Sequence, residues 1–101
     1  MPLIPSDQNL FVVDLHYIAS FDEIEPELDA HVAFLEDNYA KGRFIASGPK
    51  VPRTGGVIIA TAPTRDELEE ALKADPFMQK NLARYTVTEF RPSMQAELLK
   101  A

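Results

Sequence analysis

The chain contains no cysteine, which excludes disulfides, thiolate metal sites and cysteine nucleophiles. Basic residues are also few: ten Lys and Arg against sixteen Asp and Glu, a formal net charge of -6. That balance speaks against nucleic acid, whose phosphates call for clustered Lys and Arg. No apolar run approaches the roughly 18 residues of a membrane span. Residues 1–9 lack the basic and apolar regions of a signal peptide, so a cytoplasmic protein without membrane contact is expected. Gly55-Gly56 lacks the spacing and the lysine of a phosphate loop, and Ser47-Gly48-Pro49 is no Gly-x-Ser-x-Gly elbow. With only two histidines, the chain falls short of the three or four ligands zinc usually takes. Neither a metal nor a cofactor is expected.

What remains is the composition of an ordinary globular domain, 46% hydrophobic and 26% charged over 101 residues. That length allows one core and is small enough for a dimer to help it. Residues 1–9, with two prolines, read as an irregular arm. Residues 10–18 are a strand rich in β-branched and aromatic side chains. One of its faces is apolar (Phe11, Val13, Leu15, Tyr17) and the other mixed (Val12, Asp14, His16, Ile18). A long helix follows, opened by Ser20 or Asp22 and disturbed by Pro26, with a start nearer Glu25 and Gly42 as its C-terminal cap.

Residues 43–47 form a second strand, stopped by Gly48-Pro49, and residues 57–62 a third. Thr64 with Glu67 three residues on makes a capping box for a helix over residues 65–74. Asp75-Pro76 opens a short turn through Lys80. Residues 84–90 are the last strand, and residues 93–101 a helical tail with Met94 and Leu98 to dock. The order β-α-β-β-α-β is the ferredoxin-like arrangement, an α+β fold with two helices on one face of a four-stranded antiparallel sheet. The mixed face is then bare, and a homodimer through it is expected. Residues 1–101 are a single domain with an arm (1–9), a core (10–92) and a tail (93–101).

The long helix places His31 on its apolar stripe with Ile24, Leu28, Leu35 and Asn38/Tyr39. A polar ring on a face to be buried needs a partner, since leaving it unpaired costs about 1 to 3 kcal/mol. Asp75 is the candidate. As a carboxylate it can fix the imidazole tautomer and leave the other nitrogen for a substrate proton. Asp before Pro is equally the expected N-cap, a role that leaves one carboxylate oxygen free. Ser47 and Tyr17 are candidate ligand-facing hydroxyls, as is Tyr85. Arg53, beside Gly55-Gly56, can clamp an anion, and His16 is a candidate interface or pocket-wall residue.

Four segments together resemble the YCII-related (YciI-like) proteins. They are Phe11-Val-Val-Asp-Leu-His-Tyr17, Ala30-His-Val-Ala-Phe-Leu35, Gly42-Arg-Phe-Ile-Ala-Ser-Gly-Pro49 and Ala74-Asp-Pro-Phe77. The resemblance implies a dimeric α+β barrel and a His-Asp pair in a pocket, here His31 and Asp75, acting as general base or nucleophile. One branch of that family is associated with dehydrochlorination of a chlorinated hydroxyhydroquinone. Three functions follow as expectations. The first is a cofactor-independent lyase- or isomerase-like enzyme acting on a small, cyclic or aromatic substrate. The second is a non-catalytic dimeric module that binds a small molecule. The third, by analogy of fold alone, is a cofactor-free monooxygenase.

Overall fold

Alternation along the first strand sets the architecture. In the computed structural model, which describes residues 2–100, β1 (Asn9–Tyr17) fully buries Phe11, Val13 and Leu15 on one face. On the other face Val12 and Asp14 are half-buried and His16 is exposed. Each large apolar side chain so removed from water contributes about 1.5 to 3 kcal/mol, so this face must be covered. The cover comes from α1 (Phe21–Ile24), α2 (Leu28–Ala40) and α3 (Arg65–Leu72), whose Ile24, Phe34, Leu68 and Leu72 join the same core.

The sheet runs β2-β3-β1-β4, antiparallel at every pairing, with β2 (Phe44–Pro49), β3 (Gly55–Ala62) and β4 (Ala83–Phe90) around the central β1. This is the ferredoxin-like α+β arrangement. α1, α2 and α3 all pack on the Phe11, Val13 and Leu15 side, and among the described residues no helix of the core covers the other face.

Several local expectations are corrected. Pro26 divides the helical segment: a four-residue α1 comes before it, a 3₁₀ turn over Glu25–Glu27 holds the proline in its first positions, where a missing N–H is not needed, and the long helix begins at Leu28 rather than near Glu25. Ser20 stands at the N-cap of α1 but its side chain makes no capping bond. Gly48-Pro49 does not stop β2, because β2 is an edge strand and a proline there loses no ladder bond it needs. Gly55 and Gly56 belong to β3 rather than to the loop before it. A Cβ at Gly55 would lie 1.8 Å from the Leu15 carbonyl oxygen, so only glycine lets β3 approach β1 there. The helix expected to reach residue 74 ends at Leu72.

The tail differs most. Met94 and Leu98 are 89% and 85% exposed. A short helix, α5 (Glu97–Lys100), is tied instead by the Leu3 N–H donating to the Leu99 carbonyl at 3.1 Å. Backbone pairing with the arm, whose Ile4 is buried, does the docking that the apolar side chains were expected to do. Ala101, the last residue of the expected tail, lies outside the described residues, as does Met1. Among the described residues no helix is long and apolar enough to cross a membrane.

Candidate active site

The chain turns sharply after α3, and Asp75 stands at that turn as N-cap of α4 (Pro76–Gln79), its Oδ1 accepting the Phe77 N–H at 3.0 Å. Pro76 at the first helical position supplies the φ that the turn needs. The cap is fully buried, so its second function is decided by which other donors reach it. Two do. His31, projecting from α2, shares a 2.8 Å hydrogen bond between Nδ1 and Oδ1, and Tyr85 of β4 donates its hydroxyl to Oδ2. No lysine or arginine takes part. A buried carboxylate without a cation is tolerable when its lone pairs are filled by donors, and here three donors fill them.

Tyr85 keeps its proton. Burial first, and the neighbouring Asp75 charge second, hold the phenol well above its ordinary range, so the hydroxyl donates to the carboxylate. With both carboxylate oxygens receiving donors, the arrangement favours the imidazole tautomer carrying hydrogen on Nδ1. Nε2 then presents a lone pair, and it has no protein partner among the described residues. Phe77 completes the clamp. Its ring stacks on the imidazole with centroids 4.0 Å apart and planes within 5°, and Tyr17 meets the other ring system edge-on, 6.1 Å from Phe77.

His31 forms part of the wall of a cavity of about 200 Å³ between α2 and the β2–β3 end of the sheet. Gly56, without a side chain, is part of its floor. Gly56 pairs with Leu15 and Pro49 on the helix-facing side, and a Cβ there would come within 3.2 Å of the Gly48 carbonyl oxygen. Leu28, Val32, Leu35 and Ile58 supply apolar walls. A larger open groove of about 560 Å³ runs along α3 and β4 between Arg65, Glu69, Glu70 and Lys73. It holds neither His31 nor Asp75, and its charged rim is an ordinary solvated surface.

Of the residues singled out from sequence, His31, Tyr17, Ser47 and Arg53 line the cavity together, and Asp75 lies behind His31. The Ser47 hydroxyl is engaged by the Tyr39 hydroxyl at 2.6 Å. The Arg53 guanidinium sits over the Phe21 ring at 5.2 Å. His16 is not brought to the cavity. Leu15 and Tyr17 face the helices, so the residue between them faces away, opposite Gly55 and Arg84 in the neighbouring strands. Tyr85, expected to face a ligand, is turned to Asp75 instead. The sequence signal was the alternation that groups Tyr85 with Val87, and the register with Leu15 puts that set on the helix-facing side. Among the described residues no group of three or more His, Asp or Glu is placed to hold a metal ion.

The fold is shared with solved structures. The 5-chloro-2-hydroxyhydroquinone dehydrochlorinase TftG of Burkholderia phenoliruptrix, in complex with 2,5-dihydroxybenzoquinone, is 24% identical, with a TM-score of 0.71 over 81% of this chain and 93% of that one. A variant of SnoaB, a cofactor-independent oxygenase of Streptomyces nogalater, is 18% identical, with a TM-score of 0.51 over 90% of this chain and 98% of that one. No protein of curated function matches. The YCII-related domain matches residues 9–91, almost the whole of the sheet, the helices and the cavity, and the chain belongs to that family.

Proposed function

We propose that the chain is a cofactor-independent enzyme performing general acid–base chemistry on a small cyclic or aromatic molecule, with His31 as the base and Asp75 orienting it. The observation that carries this reading is the full occupation of the buried Asp75 carboxylate by His31, Phe77 and Tyr85. It leaves Nε2 as the unpaired nitrogen of a ring that borders a cavity. In an elimination from a hydroxybenzene, the substrate reacts as its keto tautomer, in which the carbon bearing the leaving group is tetrahedral, and Nε2 takes the proton of a remaining ring hydroxyl. The O–H electron pair becomes a C=O double bond, the neighbouring ring double bond shifts, and the leaving group departs from the tetrahedral carbon with its own pair. In an isomerisation the same proton returns at another position. The imidazolium formed meanwhile is stabilised by Asp75. The dehydrochlorinase and the oxygenase of similar fold support a small-molecule substrate by analogy of fold.

The reading includes a homodimer through the helix-free face, supported by the half-buried Val12, Val57 and Ile59 side by side across β1 and β3. Chloride release from 5-chloro-2-hydroxyhydroquinone, and isomerisation of unchlorinated hydroxybenzenes, test the chemistry. His31→Gln is expected to lower the rate about a hundredfold or more. In Asp75→Asn, ¹⁵N shifts of His31 are expected to show loss of the Nδ1–H tautomer, since an amide can donate where the carboxylate only accepted. Turnover indifferent to His31→Gln in a folded variant overturns the proposal. No turnover in either assay leaves the non-catalytic binding module as the better account.

A further inference from the structure

We propose that the cavity selects a small flat molecule carrying one anionic oxygen function, a carboxylate or a phenolate, and that Arg53 is the residue that recognises the charge. The inference rests on the reading above only in taking this cavity as the substrate site. The chain has sixteen Asp and Glu and a net charge of -6, yet none of those carboxylates lines the cavity. Asp75, behind the lining residue His31, is fully buried with both oxygens occupied. Among the described residues, Arg53 is the only one lining the cavity with a permanent charge.

Its guanidinium is also uncommitted. Lys41, Lys50, Lys73, Lys80, Lys100 and Arg65 lie within ion-pair distance of a carboxylate. Arg53, like Arg43, Arg84 and Arg91, has no such partner among the described residues, and of these four it alone lines the cavity. Instead the Phe21 ring lies 5.2 Å beneath it, a cation–π arrangement that positions the plane of the guanidinium while leaving its N–H groups to a ligand. Such a fork matches a carboxylate or phenolate oxygen better than it matches a neutral group.

The rest of the lining sets the body of the ligand. Leu28, Val32, Leu35, Pro49 and Ile58 offer apolar walls with no further cation. The volume, about 200 Å³, is below the range of roughly 300 to 1,000 Å³ typical for drug-sized ligands, which points to a single ring. Arg53 would then also stabilise negative charge spreading onto the anionic oxygen as Nε2 withdraws a proton.

The test is binding, followed by ¹⁵N chemical-shift titration of the full chain at pH 8. The probes are benzoate against benzamide, and 4-nitrophenolate against nitrobenzene. At least one anion is expected to bind about tenfold or more tightly than its neutral counterpart, with shifts at Gly55 and Gly56. Whichever anion is preferred identifies the ligand group as carboxylate or phenolate. Arg53→Gln is expected to reduce the anion to the affinity of its neutral counterpart, and Lys50→Gln and His31→Gln to leave the preference in place. Equal affinity within both pairs, no binding of either anion, or a preference that survives Arg53→Gln overturns the proposal. So does a preference lost only in His31→Gln, which assigns the recognition to the imidazole. None of these outcomes requires turnover, so failure here is separable from failure of the acid–base reading.

Discussion

Asp75 and Asp14 lie on opposite sides of the same sheet and hold their charges in different ways. Asp14, on the helix-free face, has a side chain 41% exposed and meets the Lys50 ammonium at 2.8 Å. Asp75, on the helix-covered side, is wholly excluded from solvent and has no cation; a backbone N–H, an imidazole and a phenol do the work of water. The difference teaches where a carboxylate acquires a chemical use. At the surface a charge is screened and its partner is exchangeable. In the core each donor is fixed by the packing that brought it there, so the carboxylate imposes an orientation and a tautomer on the ring beside it.

The sharpest way to break the comparison is to delete each carboxylate in turn. Asp75→Ala strands three buried donors and removes a cap, and is expected to cost about 3 to 5 kcal/mol in chemical denaturation. A cost no larger than that of a surface residue would mean that the buried network is not a unit.

Tyr85→Phe has the intermediate effect. It removes one donor from Oδ2 and is expected to cost about 1 to 3 kcal/mol near neutrality, and it changes the pH dependence as well. In the unfolded chain the phenol ionises near about 10, while in the folded chain burial and the Asp75 charge hold its pKa higher. Above pH 10 the unfolded chain sheds this proton and the folded one keeps it. The stability tied to Tyr85 is therefore complete below that pH and falls as pH rises, by up to about 1.4 kcal/mol per pH unit. Tyr85→Phe is expected to flatten that decline; an unchanged alkaline slope would show that the phenol does not carry it.

Asp14→Ala is the smallest change, expected within about 1 kcal/mol and shrinking further with salt. A larger cost, appearing only at concentrations where sedimentation shows dimers, would mean that a second copy covers Asp14 and makes the two faces more alike.

Local signals in the chain were sufficient for most of the fold. The alternation of Phe11, Val13 and Leu15, the capping box of Thr64 and Glu67, and Gly42 past the end of α2 each act within a few residues, and the structure follows them. The N-cap role of Asp75 was equally local. Where local rules misled, a distant neighbour had prevailed. Pro49 stays in β2 because β2 is at the sheet edge, and Met94 and Leu98 stay exposed while the tail pairs with the arm through Leu3. His16 and His31 show the same division. Strand alternation alone turns His16 away from the helices, whereas nothing within a few residues of His31 names its partner.

The sequence by itself determined the order of elements, the faces they bury, and the exclusion of thiol chemistry. Those depend on periodicity and residue type, which short stretches of chain contain in full. Only the tertiary structure decided that His31, Asp75 and Tyr85 form one hydrogen-bonded chain. It alone gathered Arg53 and Ser47 around the same cavity as His31. These residues are separated by tens of positions, and their meeting follows from how α2, the Asp75 turn and β4 pack on β1, a relation that no local pattern encodes.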